Sequence, residues 1–230
     1  MVFKEKEFKL KDGRSAFLRS PLVDDAENML QFIIKASGET DFLMKFPEEF
    51  AGFTLDQEKA FLRANYDNKN GLMIICAVDG RIAGSCQISF RTGEKDRHRA
   101  SVAIALLQEF WNLGIGTRMF EEMFQVAGER GDVRQIELDF IEGNKRARGL
   151  YEKMGFRITG VKPDAIRMRD GSFVNEYMMV KRLYHGSGLY LPRNRELCEA
   201  RGQQADEHHP ASGCAHSRKV PAKDQQAGGG

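Results

Sequence analysis

The chain has 230 residues, of which 41% are hydrophobic, and its 35 basic and 33 acidic residues give a formal net charge of +2. This length and apolar content suffice for a buried core, while the near balance of charge argues against a nucleic-acid partner. No stretch approaches the ~20 apolar residues that span a bilayer, and the mixed-charge start is unlike a signal peptide, so we expect a cytoplasmic protein without a membrane partner.

The first part of the chain predicts a hairpin followed by two helices. An Asp12-Gly13 pair separates two short strand-like runs, which is typical of a hairpin turn. An Asp precedes the apolar run from Met29 to Ile34, whose spacing is helical, and this helix is predicted to end near Gly38. Thr54 and Gln57 have the spacing of a capping box and predict the start of the second helix.

The middle of the chain alternates strands and helices. Asp79-Gly80 lies between two apolar runs and predicts a second hairpin, followed by a strand from His98 to Leu107. The chain then passes through a turn with Gly114 and Gly116. The remaining predicted elements are a helix to Glu129, a strand Val133 to Ile141, a helix ending at Met154, and strands Phe156 to Val161 and Ser172 to Leu183.

The glycine turn could form a binding site for an anion. The first N–H groups of a helix lack partners within the helix and lie at the positive end of its dipole, so they can bind a phosphate or pyrophosphate. Gly114 and Gly116 would let the backbone approach such an anion without a Cβ between them. Taken alone, so short a pattern favours a simple tight turn over an anion site.

A second motif begins 28 residues beyond Gly116, with Asn144, Ala147, Leu150, Tyr151, Gly155 and Phe156 at the spacing N-x-x-A-x-x-L-Y-x-x-x-G-F. The turn and this motif together resemble the GNAT N-acetyltransferases, whose acyl-CoA pyrophosphate loop precedes the same signature. The resemblance implies a GNAT domain over residues 1–183, an α/β (α+β) fold with a mixed, mostly antiparallel sheet of about seven strands flanked by helices.

The resemblance also implies acetyl-CoA as cosubstrate and assigns residues to it. The pantetheine arm would pair with the backbone of Leu106 and Leu107, with Leu106 N–H polarising the thioester carbonyl. The pyrophosphate would be bound by a run of seven residues, namely Trp111, Asn112, Leu113, Gly114, Ile115, Gly116 and Thr117. Trp111 departs from the Gln or Arg that the family has there. We expect Trp111 to pack beneath the loop and Asn112 or Arg118 to replace the lost polar contact.

Two further residues receive roles from the resemblance. Asn144 would hydrogen-bond the pantetheine arm or nearby backbone, and Tyr151 would protonate the departing thiolate, since a neutral phenol can donate at pH 7. The general base is not assigned. The candidates among the residues are three strand carboxylates and one histidine, namely Glu137, Asp139, Glu176 and His98. A chain of waters could also take the proton.

The resulting interpretation is an acetyl-CoA-dependent N-acetyltransferase. It would transfer the acetyl group to a primary amine by direct attack in a ternary complex, since no motif cysteine or serine could carry a covalent intermediate. The resemblance implies that the irregular segment Glu39 to Phe53 lines the acceptor side, although its aromatic residues by themselves favour core or lid packing. The acceptor is open between a small-molecule amine and a protein amine, and a homodimer is left open.

Two alternatives use the same glycine turn. A non-catalytic acyl-CoA-binding or sensing module could have this fold, although it could lose Tyr151. A dinucleotide-binding domain is disfavoured because its third glycine would fall at Met119 and because alternating parallel βα units are absent.

The end of the chain, residues 184–230, predicts a disordered tail, because scattered charges with no apolar period cannot bury enough surface. Four of the five histidines lie there with Cys198 and Cys214, but their spacing fits no zinc pattern, so we predict no metal site. Cys76 and Cys86 lie in apolar runs and are expected to be small buried hydrophobes.

Overall fold

The computed structural model describes residues 1–183, so the predicted tail and its histidines and cysteines lie outside the described residues. Four helices are present in this part of the chain. They are α1 (Ala26–Gly38), α2 (Leu55–Asp67), α3 (Ile115–Glu129) and α4 (Lys145–Lys153). Single turns of 3-10 helix occur at Val23–Asp25, Pro47–Phe50 and Gln108–Phe110.

The strands of residues 1–183 form one sheet of eight, where about seven were predicted. They are β1 (Lys6–Lys9), β2 (Ser15–Arg19), β3 (Gly71–Val78), β4 (Arg81–Phe90), β5 (Arg99–Leu106), β6 (Gln135–Ile141), β7 (Arg157–Arg167) and β8 (Phe173–Arg182). Their order is β1-β2-β3-β4-β5-β6-β8-β7. All neighbouring strands are antiparallel except β5 and β6, which confirms the predicted mixed, mostly antiparallel sheet.

Two local predictions differ from the structure in detail. Strand β7 runs to Arg167 rather than Val161, and it contains Pro163, which is tolerated because β7 is an edge strand and needs no donor there. The Asp25 side chain does not cap α1. Its carboxylate instead accepts hydrogen bonds from Leu22 N–H and from Arg19.

The apolar residues of α3 recur at helical spacing and form its buried face. Met119, Phe120, Met123 and Ala127 have no exposed surface. Burial of each large apolar side chain stabilises the fold by roughly 1.5 to 3 kcal/mol, so this face holds α3 firmly against the sheet. Packing of α3 against the sheet therefore also holds the N-terminus of this helix in place beside the candidate site.

The capping box predicted at the start of α2 is also present. Thr54 Oγ1 accepts from Gln57 N–H at 3.2 Å, and Gln57 Oε1 accepts from Thr54 N–H at 2.8 Å. Within residues 1–183, every helix falls short of the length and apolar content that crossing a membrane would demand.

Candidate active site

The candidate site is a cavity of about 730 Å³ at the place where β5 and β6 separate. These parallel strands pair only from Arg99 with Gln135 to Ser101 with Glu137. Beyond that point, β5 continues to Leu106 and β6 to Ile141 without pairing to each other in the described residues. The gap exposes backbone edges that a bound molecule can use.

The backbone of β5 offers one N–H group at the end of this gap. Opposite residues of antiparallel strands alternate between pairs that exchange hydrogen bonds and pairs that do not. Leu107 N–H donates to Ala83 O at 3.0 Å, so the preceding pair, Leu106 with Gly84, turns its polar groups away from β4. Leu106 N–H therefore points away from β4 and toward the gap.

Leu107 does not line the cavity, although it was predicted to share this role. Its side chain is buried, its N–H is bound by β4, and its carbonyl accepts from Phe110 N–H. Leu113, another predicted residue, also lies outside the lining, and its carbonyl accepts from Lys11 N–H at 3.2 Å.

Gly84 positions Leu106 and was missed in the sequence. A Cβ on Gly84 would lie 2.2 Å from Leu106 Cδ2 and 2.9 Å from Ala105 O. Any larger residue would force the Leu106 side chain and the backbone at Ala105 to shift. An isolated glycine inside a strand indicates such a close approach, which is the signal that could have identified it.

The glycine turn brings the start of α3 to the cavity. Gly114 precedes the helix with φ of 97°, a conformation that L side chains rarely adopt, and Gly116 lies in the first helical turn. A Cβ on Gly116 would come 2.8 Å from Leu150 Cδ2, whereas one on Gly114 would meet no atom within 4 Å. Gly114, Ile115, Gly116 and Thr117 all line the cavity, so the positive end of the α3 dipole faces it.

Trp111 lines the cavity and does not simply pack beneath the loop. Its Nε1 donates to Leu106 O at 3.0 Å, and the Arg146 guanidinium stacks 4.2 Å from its ring. Arg146 also donates to Asn112 Oδ1 at 2.8 Å. Arg118, one proposed replacement for the lost polar contact, is bound to Glu122 at 2.6 Å and lies outside the lining. Arg146, which the sequence did not suggest, stands beside the loop instead.

The lining is strongly asymmetric in charge. It contains one acidic residue, Asp139, and four basic ones, which are Lys11, Lys145, Arg146 and Lys153. Lys153 Nζ lies 3.4 Å from Thr117 Oγ1 in the first turn of α3. A basic cluster around a helix start suits a molecule that carries several phosphates.

Asn144 and Tyr151 both lie on α4 and line the cavity. Asn144 caps the helix, since its Oδ1 accepts from Ala147 N–H at 3.1 Å, which leaves its amide NH₂ for other partners. Tyr151 is 8% exposed and packs edge-on against Phe120, and burial raises the pKa of its phenol to about 12. The phenol is therefore protonated at neutral pH.

The candidate bases are all engaged with other groups or lie away from the cavity. Glu137 binds Arg99, and Lys162 Nζ binds both Asp139 at 2.8 Å and Glu176 at 2.7 Å. Of these carboxylates, only Asp139 lines the cavity, and His98 does not. The structure thus brings Asp139 to the site without singling it out as a free base.

Residues 39–53, the segment between α1 and α2 that we call the acceptor segment, contribute one wall of the cavity. Thr40, Phe42, Leu43 and Met44 line it, and Phe42 lies beside Gly143, just before α4. This wall is largely apolar, in contrast to the basic side chains elsewhere in the lining. The cavity therefore offers both an apolar surface and a cluster of positive charge.

No cysteine is available for covalent chemistry in the described part of the chain. Cys76 and Cys86 are free and buried, as predicted, and burial raises the pKa of both thiols, that of Cys76 to about 12. Among residues 1–183, no group of His, Cys, Asp and Glu side chains is arranged to hold a metal ion.

Comparison with known proteins identifies relatives of this chain. The sequence profile of the acetyltransferase (GNAT) family matches residues 40–156. The chain is 26% identical over 108 residues to an L-amino acid N-acetyltransferase of Escherichia coli, a match that spans 47% of this chain and 66% of that protein. It is 24% identical over 171 residues to a putative ribosomal N-acetyltransferase of Bacillus subtilis, covering 70% and 89% of the two chains.

A solved structure also resembles the described fold. The crystal structure of an acetyltransferase of the GNAT family from Streptococcus pneumoniae superposes with a TM-score of 0.67 at 27% identity. The superposition covers 73% of this chain and 99% of that one.

Proposed function

Because the chain belongs to the acetyltransferase (GNAT) family, a family of acetyl-CoA-dependent enzymes, we propose that it transfers the acetyl group of acetyl-CoA to a primary amine. The amine attacks directly in a ternary complex. We further propose that residues 1–183 form the catalytic domain, since the lining of the candidate site runs from Lys11 to Lys153.

One observation carries this proposal. The gap between β5 and β6, with Leu106 N–H facing it, opens at one end onto the glycine turn and the basic side chains. A thioester on a long arm ending in phosphates fits this order of features. The phosphates take the helix start and basic residues, and the thioester takes the N–H of Leu106.

The proposed reaction uses this chain's own groups in three ways. The amine nitrogen forms a bond to the acetyl carbon, and Leu106 N–H stabilises the negative charge that develops on the carbonyl oxygen, an effect typically worth ~3 kcal/mol. The carbon–sulfur bond then breaks, and the thiolate takes the proton of the Tyr151 hydroxyl. The proton of the amine leaves to water, and solvent restores the phenol.

The acceptor is proposed only as a class. The E. coli relative is named for L-amino acids and the B. subtilis relative for a ribosomal substrate, so both small and protein amines are represented among relatives. The apolar wall of the acceptor segment favours an amine attached to an apolar group. A panel containing an L-amino acid mixture, a polyamine, an aminoglycoside, and peptides with a free N-terminus or a lysine would identify the class by thioester consumption.

The proposal predicts that acetyl-CoA stabilises the protein and NAD does not. At a ligand concentration of 100 times Kd, binding adds about 2.7 kcal/mol to the free energy of unfolding. For a domain of this size, that corresponds to a Tm increase of roughly 5 to 10 °C, measured by differential scanning fluorimetry. A shift with NAD but none with any acyl-CoA would contradict the proposed cosubstrate and favour the dinucleotide alternative.

A second prediction concerns Arg146, which we propose supplies the charge absent at Trp111. Arg146→Ala should weaken acetyl-CoA binding by about 5 to 10-fold in isothermal titration calorimetry, because one hydrogen bond contributes about 1 kcal/mol net. The affinity for dephospho-CoA, which keeps the pyrophosphate, should fall by the same factor in Arg146→Ala. Arg148→Ala is the matched control, because it removes the same charge from the same helix at a residue paired with Glu152. Equal losses in both variants would indicate only a general effect of charge.

A further inference from the structure

The acceptor segment is tied to the turn between β7 and β8 by one side chain. Arg169 donates to Glu48 Oε1 at 3.1 Å and to Glu48 Oε2 at 2.9 Å. Its guanidinium also lies 4.2 Å from the Phe46 ring and 3.9 Å from Asp41. A single arginine thus contacts three residues of the segment.

The contacts between Arg169 and Glu48 constrain the relative orientation of the two side chains as well as the distance between them. The planar guanidinium forms two parallel hydrogen bonds with the carboxylate, a geometry that lysine cannot reproduce. The same pairing lowers the pKa of the Glu48 carboxyl. Exposed ion pairs are individually weak, but here the pair, the aromatic contact and a second carboxylate act on one group.

The rest of the segment is held separately. At its start, Glu39 Oε2 accepts from Gln108 N–H at 2.6 Å, and the Phe42 ring lies against Gly143. Between this start and Glu48 lie the residues from Phe42 to Met44 that line the cavity. Arg169 joins the acceptor segment to the turn between β7 and β8 by ion pairs with Asp41 and Glu48.

We propose that Arg169 is a positioning residue that holds the acceptor segment in the conformation that binds the amine. This inference rests on the proposed function, because it assigns the segment to the acceptor. Arg169 acts through the segment and does not line the cavity, so its loss changes acceptor binding and leaves the cosubstrate site intact.

The first experiment measures the segment itself by hydrogen–deuterium exchange of the full chain. In Arg169→Ala, amides in peptides covering residues 40–53 should exchange about 3 to 10 times faster, the factor expected for losing such an exposed network. Arg167→Ala removes a like charge from β7 beside the same turn and should leave exchange unchanged. If residues 40–53 of Arg169→Ala exchanged at the same rate as in the wild-type protein, the proposal would be overturned.

Charge-reversal variants test whether the effect of Arg169 depends on its ion pair with Glu48. Arg169→Glu should raise exchange in residues 40–53, and adding Glu48→Arg should restore much of the protection by forming the reversed pair. Failure of the double variant to recover any protection would refute the assignment of Glu48 as partner.

The kinetic readout uses the amine of the panel that gives the highest turnover. In Arg169→Ala, KM for that amine should rise about 3 to 10-fold, with acetyl-CoA Kd, kcat and Tm near their wild-type values. Faster exchange with an unchanged amine KM would overturn the positioning role. Failure of the wild-type protein to bind acetyl-CoA would instead contradict the proposed function, whatever Arg169 does.

Discussion

Replacing Tyr151 by Phe is expected to lower kcat about 10²-fold or more, because general acid catalysis usually contributes ~10² to 10⁴. The change removes one oxygen and keeps the ring, which packs against Phe120, Phe140 and Phe156. The Tm and the acetyl-CoA Kd should therefore change little, within about one net hydrogen bond or ~1 kcal/mol. Steady-state kinetics with an accepted amine, together with calorimetric binding, would measure both effects.

Tyr177→Phe provides a matched control for this prediction. Tyr177 stacks on Phe140 and its hydroxyl lies 3.1 Å from Glu142, but it does not line the cavity. The variant Tyr177→Phe should therefore have the kcat of the wild-type protein. An unchanged kcat in Tyr151→Phe, with chemistry shown to be rate-limiting, would assign Tyr151 to packing and leave solvent as the proton donor.

The pH dependence of the rate tests the same assignment. Burial raises the pKa of Tyr151 to about 12, so the phenol keeps its proton, and its capacity to donate, throughout the neutral and moderately alkaline range. The rate should therefore not fall through ionisation of Tyr151 below about pH 11. A fall in kcat near pH 10 that vanishes in Tyr151→Phe would mean that the phenol is not shielded as the structure indicates.

The fold was largely predictable because its signals are local. Asp-Gly turns, the Thr54 and Gln57 capping box and the apolar face of α3 each follow from residues close together in the chain. The parallel pairing of β5 with β6 follows from no local pattern, because the two strands are joined through a distant crossover.

The details of the candidate site were less predictable because they depend on register and on distant contacts. Whether Leu106 or Leu107 turns its N–H into the gap is decided by which of them lies opposite Ala83, a choice that a two-residue period leaves open. The stacking of Arg146 on Trp111 joins residues 35 positions apart. Arg169 and Glu48 are 121 positions apart, and each alone has the character of an ordinary surface charge.

Gly114→Val is expected to weaken acetyl-CoA binding at least about tenfold, since the loss of 1.4 kcal/mol suffices for that factor. Gly114 has φ of 97° directly before α3, and a branched side chain there is strained by roughly 1 to 3 kcal/mol. Relief of that strain moves the first N–H groups of α3, and the new side chain enters the open space beside them. Both effects act on the proposed phosphate site.

The matched control is Gly131→Val, which lies just beyond the other end of α3. Gly131 also has a positive φ, 73°, and a Cβ there would likewise meet no atom within 4 Å. The two variants should therefore lose comparable stability, with Tm lowered by roughly 2 to 4 °C for each kcal/mol. Only Gly114→Val should lose acetyl-CoA affinity in calorimetric titration, because only Gly114 lines the cavity. Equal affinities in the two variants would show that the start of α3 does not bind the cosubstrate, and the basic side chains of α4 would then have to hold the phosphates alone.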